Sequence, residues 1–276
     1  LKALVREATT HKTTEHNILQ FAFLQAFFFA KIRKKIVSLW TEKQKNMKHI
    51  PNTITLANLL CGCLAIVATF SGNLIFAGVL IFLAAIFDFL DGFLAKLLNA
   101  QSELGKQLDS LADIVSFGVA PAMIAFRIMV VNSDALPFAF LPYIAFVMVL
   151  FSALRLAKFN VSTNQTEYFI GMPTPTNGMF WASLPLVFRD LLERDMINLA
   201  AFVFHPMVIA VLCVIFAVLL VLPIHMFSLK LKPGFVPTWQ QVVLVGLVAV
   251  LFFIIGFAAI PVGILIYPLL SLTLRK

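Results

Sequence analysis

Seven apolar stretches, parted by short polar breaks, fill almost the whole chain from Thr55 onward. They cover about Thr55–Phe70, Leu74–Leu98, Gln107–Val131, Phe138–Leu156, Asn177–Phe188, Leu199–Leu222 and Gln240–Leu274. Stretches of that length and density belong to a hydrocarbon solvent, not to a water-soluble core. In lipid every backbone N–H and C=O has to be satisfied within its own segment, so the pattern specifies helices. The last stretch is 35 residues long and is interrupted by Gly256 and Pro261, which predicts a hairpin of two short helices. The expected fold is therefore an all-α polytopic membrane protein with about eight spans.

Charge is scarce, 12% of 276 residues against 61% hydrophobic, which leaves no room for a polar partner-binding domain. Ten of the 21 Lys and Arg lie in the first 48 residues. That basic arm suits an anionic membrane surface, and no nucleic-acid partner is expected. Residues 1–46 differ in character from the rest. They read either as an interfacial helix, since Ile18–Ala30 is too short to span, or as the product of a misassigned start, with Met47 as the true N-terminus. Loop charges divide by side. Lys96, Lys106, Arg155, Lys158, Lys230, Lys232, Arg275 and Lys276 join the basic arm on one side; Asp134, Asp190, Glu193 and Asp195, with Arg189 and Arg194, lie on the other. By the positive-inside rule the first side, with both termini, is cytoplasmic. Arg127, near the outer end of the third span, is expected to snorkel to the interface.

Against this background four aspartates fall within 26 residues, Asp88, Asp91, Asp109 and Asp113. The first pair is spaced i, i+3 and the second i, i+4, so each pair shares a helix face, one at the end of span two and one at the start of span three. A carboxylate at membrane depth costs about 2.5–3.5 kcal/mol, so four uncompensated ones cost roughly 10 or more. A divalent metal site at the cytoplasmic boundary offsets that cost. Oxygen-only ligands suit Mg²⁺, Mn²⁺ or Ca²⁺, and two such ions can bridge a pyrophosphate. Gly92 leaves backbone room for a ligand, Gly105 lets the third helix start close by, and Lys96 and Lys106 add positive charge where phosphates would sit. Cys61, Cys63 and Cys213 read as packing residues, and none of the five His has metal-ligand spacing.

The spacing resembles the signature of the CDP-alcohol phosphatidyltransferases, D-x2-D-G-x2-A-R-x8-G-x3-D-x3-D. It is matched here by Asp88, Asp91, Gly92, Ala95, Gly105, Asp109 and Asp113 with every interval kept. Lys96 replaces the family's Arg and loses its planar fork. Further stretches resemble the phosphatidylserine synthase branch of that family: Ile50 to Asn58, Asp109 to Pro121, Leu154-Arg-Leu-Ala-Lys-Phe-Asn160, where Lys158 is a second Arg-to-Lys departure, and Phe169 to Asn177. The resemblance covers about residues 47–222 well, the final hairpin loosely, and 1–46 not at all.

The resemblance implies a six-helix core over residues 47–222, followed by a loop and transmembrane hairpin over 223–276. It implies an enzyme of a prokaryotic cytoplasmic membrane that transfers the phosphatidyl group of CDP-diacylglycerol to the hydroxyl of L-serine, releasing CMP, and that works as a homodimer. Asp88, Asp91, Asp109 and Asp113 would hold Mg²⁺ or Mn²⁺, two ions in all, with Asp113 also the general base. Asn52 and Thr55 could reach the nucleotide or simply cap and brace the first helix. Ser102 could donate to a phosphate. Arg155, Lys158 and Asn160 could bind the serine carboxylate or merely mark the inside loop, and the loop Gly171–Thr176 would shape the acceptor pocket. Other acceptors, glycerol 3-phosphate or an inositol phosphate, should demand more cationic groups than Arg155 and Lys158 supply. A cation transporter is the alternative of a different class, but the aspartates sit at one edge and no repeated halves are visible.

Overall fold

A computed structural model of the chain describes residues 31, 34–35, 49–132, 138–161, 169–226 and 239–272. Apart from residues 31, 34 and 35, the expectations for residues 1–46, with those for the Met47 start, Asp134, and the loop and tail lysines at 230, 232 and 276 with Arg275, lie outside the described residues. Two antiparallel helices open the fold, α1 (His49–Phe70) and α2 (Leu74–Leu97), joined by a tight turn in which Gly72 takes φ +82. Next comes a continuous helical run, Glu103–Val131. It is built from α3 (Glu103–Asp113), a wider π-helical turn (Ile114–Val119) and α4 (Ala120–Val131). A 3₁₀ turn (Leu141–Phe146) leads into α5 (Val147–Val161), followed by α6 (Thr174–Glu193), α7 (Ile197–Val203) and α8 (Pro206–Val221). The last elements are α9 (Trp239–Ile255) and α10 (Ala259–Ser271). Among the described residues the strands are two short ones, Phe169–Ile170 and His225–Met226, paired antiparallel.

Five helical runs are long and apolar enough to cross a membrane, or six when the bent pair α7–α8 counts as one. The eight expected spans survive as eight helical units, and the difference in count has local causes. Helix α6 carries Thr, Asn, Ser and charged residues, yet 12 of its 20 residues are buried. It runs through the middle of the bundle, packed by α2, α4, the π turn and α10, and so needs no lipid-facing surface. The sixth expected span is bent by 48° between α7 and α8. His205 precedes Pro206 and is held extended at φ −62, ψ 133, because proline disfavours a helical residue before it. The final stretch is a hairpin: Gly256 takes φ +62 and reverses the chain, and α10 returns so close to α9 that a Cβ on Gly263 would collide with the Val248 side chain.

Small residues let the bundle close. A Cβ at Gly78 of α2 would strike the Ala182 carbonyl of α6, and one at Gly62 of α1 would strike Ser116 of the π turn. Outward faces carry Leu56, Leu60, Leu64 and Val67 of α1 and Val242, Val245 and Phe253 of α9, all exposed apolar side chains that fit a lipid environment. The alternating run of the helices then gathers one set of ends together: the starts of α1, α3 and α6 and the last turns of α2, α5 and α10.

Candidate active site

The site lies at that shared end. The last turns of α2 supply Asp88 and Asp91, and α3 supplies Asp109 and Asp113. Helix α1 begins at His49, six residues before the expected Thr55, with Pro51 tolerated in its first turn. The added turns place Asn52 and Thr55 beside α2 and α3. Thr55 Oγ1 donates to Asp91 Oδ2 at 2.5 Å. A Cβ on Gly105 would stand 3.0 Å from Asn52 Oδ1 and 3.1 Å from Ser102 Oγ, a tight fit that glycine relieves where α3 starts beside α1. Ser102 caps α3, its Oγ accepting from the Gly105 N–H at 3.0 Å, which leaves its own proton available to a ligand.

Asp88, Asp91 and Asp109 each offer a carboxylate oxygen within 4.8 Å of the others. Such a set of hard oxygen donors, one of them on the nearly sealed Asp91, fits a divalent cation. Asp113 stands outside that set. Four residues along α3 carry it about 6 Å deeper, where it is 6% exposed and Thr174 Oγ1 donates to its Oδ2 at 3.3 Å. Arg155 Nη1 in turn donates to Thr174 Oγ1 at 3.4 Å.

Two cavities meet at the aspartates. The larger, about 560 Å³, is the more polar and is lined by Asn52, Thr55, Gly92, Lys96, Ser102 and Gly105 among others. At Gly92 an added Cβ would meet nothing within 4 Å, so the glycine keeps this space open. The smaller, about 230 Å³, lies deeper between α3, α5, α6 and α10, with Asp113, Arg155, Thr174, Thr176 and Tyr267 in its wall. Asp88, Asp109 and Phe159 line both. Lys158 and Asn160 line neither. Lys158 is exposed, and Asn160 Nδ2 donates to Ser110 Oγ at 2.9 Å while the Asn160 backbone carbonyl accepts from Lys106 Nζ at 3.2 Å, bracing α5 against α3.

Two contributions were not foreseen from the sequence. Tyr267 reaches the smaller cavity from the C-terminal hairpin; the only sequence signal is that it is the sole tyrosine of the last apolar stretch. The π turn directly after Asp113 is the other. Its Phe117 carbonyl accepts from Asn177 Nδ2 at 3.1 Å, and Asn177 Oδ1 accepts from Trp181 Nε1 at 3.2 Å. That buried relay supplies a partner for a carbonyl beside a turn of irregular spacing.

The family model described as CDP-alcohol phosphatidyltransferase matches residues 48–266. A Bacillus subtilis protein named CDP-diacylglycerol–serine O-phosphatidyltransferase is 40% identical over 150 residues, 53% of this chain and 80% of that protein. A Helicobacter pylori protein of the same name is 38% identical over 127 residues, covering 45% of this chain and 52% of its own length. A Methanothermobacter thermautotrophicus protein named archaetidylserine synthase is 36% identical over 129 residues, 46% of this chain and 53% of that protein. The chain thus spans four fifths of one of these relatives and about half of the other two. With the match extending from the start of α1 into α10 and taking in all four aspartates, the chain belongs to the CDP-alcohol phosphatidyltransferase family.

Proposed function

We propose that the protein transfers the phosphatidyl group of CDP-diacylglycerol to the hydroxyl of L-serine, giving phosphatidylserine and CMP. The observation that carries this reading is the pair of cavities with Asp88 and Asp109 in their common wall. A displacement at phosphorus needs the nucleophile and the leaving group on opposite sides of the reacting atom. The larger, polar cavity suits the cytidine diphosphate, with Lys96 and Lys106 beside its phosphates and the Ser102 hydroxyl able to donate. The smaller cavity suits a compact acceptor. The names of the similar proteins, which specify serine, support the choice of acceptor.

Asp88, Asp91 and Asp109 are the residues that would hold Mg²⁺ or Mn²⁺; a divalent ion bound there supplies charge neutralisation for the pyrophosphate and the departing CMP. The chain's own groups do the rest. Asp113, buried at the floor of the smaller cavity, takes the proton of the serine hydroxyl. The serine oxygen forms a bond to the β-phosphorus, and the bond from that phosphorus to the bridging oxygen breaks, with CMP keeping the electron pair. Thr174 and Arg155 hold Asp113 in place from α6 and α5. The charge distribution of the loops supports a site opening to the cytoplasm.

The test is CMP release from CDP-diacylglycerol by purified protein with Mg²⁺ or Mn²⁺, run with serine, glycerol 3-phosphate, inositol phosphate and no acceptor. Serine-dependent release with phosphatidylserine as product is expected. Release only with a phosphorylated acceptor keeps the chemistry and replaces the acceptor. Asp91→Ala is expected to lose release by at least about a hundredfold while still inserting in the membrane; retained activity in that variant would overturn the assignment of the three aspartates.

A further inference from the structure

Tyr267 stands in the wall of the smaller cavity although it comes from the C-terminal hairpin, and the family match ends one residue before it, at residue 266. Its side chain is almost wholly buried, at 1% exposure. A phenol buried among apolar helices keeps its hydroxyl among polar groups, and here Arg155 and Asp113 stand in the same cavity wall.

Arg155 is itself an unusual group in this place. It is 9% exposed and spends Nη1 on Thr174, yet its buried Nε has no hydrogen-bond partner among the described residues. An unused donor on a guanidinium nine-tenths buried, at the edge of a cavity, points to an anionic ligand that completes it. The cavity is small, about 230 Å³, and among the described residues its wall carries one guanidinium, no second cation and the carboxylates of Asp88, Asp109 and Asp113. That suits a single carboxylate better than a phosphate dianion. The hairpin is fixed well enough to place a ligand group. Helix α10 packs along α6, and at the hairpin turn Arg194 Nη1 donates to the Ile254 carbonyl at 3.4 Å.

We infer that Tyr267 and Arg155 together grip the carboxylate of an amino-acid acceptor, so that the C-terminal hairpin takes part in acceptor selection. This rests on the transferase reading above. The phenol hydroxyl donates one hydrogen bond to the carboxylate and the guanidinium donates others, which points the acceptor's own hydroxyl toward Asp113 and the wall shared with the larger cavity.

The experiment is steady-state CMP release by the full-length protein, varying serine and CDP-diacylglycerol separately, for the wild type, Tyr267→Phe, Arg155→Lys and the double variant. Tyr267→Phe keeps the ring and so the packing. It is expected to raise KM for serine about tenfold or more and to leave KM for CDP-diacylglycerol unchanged. Because both groups hold one carboxylate, the double variant should raise KM for serine by less than the product of the single effects. An unchanged serine KM in Tyr267→Phe overturns the inference, as does an equal loss on both substrates, which marks a structural role. In either case serine-dependent release by the wild type leaves the transferase reading standing. A wild type that releases CMP without dependence on serine overturns the transferase reading and this inference with it.

Discussion

The Asp91 carboxylate is 5% exposed and receives the Thr55 hydroxyl, which reaches it from a different helix. A hydrogen bond to an ionised carboxylate is worth about 1.5–3 kcal/mol, and partners of metal-binding carboxylates set their orientation. Thr55→Val keeps the side-chain shape and removes that bond. It is expected to raise the half-saturating Mn²⁺ concentration for CMP release by about 10–100-fold, measured by metal titration at saturating substrates; an unchanged titration would leave Thr55 a helix-bracing residue alone. At this scale the spacing of the aspartates carried a great deal. It puts Asp88 with Asp91 on one helix face and Asp109 with Asp113 on another, because i, i+3 and i, i+4 are properties of any helix. It does not separate Asp113 from the other three. That separation comes from how deeply α3 is inserted beside α5 and α6, and no interval in the sequence states it. Asn160 shows the same limit: its position beside Arg155 suggests the pocket, while its amide is used on Ser110.

Among the elements, the hairpin and the bent sixth span depart most from regular helices. Gly256 sits at φ +62, and a Cβ there would stand 2.7 Å from Asp190 Oδ2 and 2.8 Å from an Arg194 guanidinium nitrogen. Gly256→Ala therefore combines a left-handed backbone with a steric clash at an ion pair, and a loss of about 1–3 kcal/mol is expected. Thermal unfolding in detergent checks it, with a lower Tm than wild type; an unchanged Tm would mean that the turn rearranges freely. The hairpin is legible in the sequence because Gly256 and Pro261 interrupt an apolar run too long for one crossing. The bend in the sixth span has a sequence cause as well, Pro206, but the continuous hydrophobicity on either side conceals it. The π turn after Asp113 has no such signal. Its local sequence is that of an ordinary apolar helix, and the irregularity depends on Ser116 donating to the Asn58 carbonyl and on Asn177 from α6.

For the whole molecule, the two ends of the bundle differ in charge. The site end carries Lys96, Lys106, Arg155 and Lys158. At the far end the two arginines of α6's last turns and loop are taken up by acids, Arg189 by Glu193 at 2.6 Å and Arg194 by Asp190 at 3.1 Å. Counted as Lys and Arg alone, the site end carries these four against Arg127, Arg189 and Arg194 at the far end, and we read that bias, by the positive-inside rule, as a site that faces the cytoplasm. In a background with Cys61, Cys63 and Cys213 replaced, Glu193→Cys is expected to react with a membrane-impermeant maleimide applied to intact cells. Asn99→Cys, in the α2–α3 turn, is expected to react only after lysis. The reverse pattern would place the site on the outside.

The sequence by itself determined that this chain is a bundle of membrane helices and that two of them carry a four-carboxylate signature. Both follow from local periodicity and from the cost of leaving polar groups in hydrocarbon, which every stretch of chain meets on its own terms. Only the tertiary structure decided which helix is central, that Asp113 and Arg155 share a second cavity, and that Tyr267 from the far C-terminal hairpin joins them. Those placements depend on close approaches between distant segments, Gly78 on Ala182, Gly62 on Ser116 and α10 along α6. Contacts of that kind are set by the packing of surfaces, and no single stretch of sequence contains both sides of one.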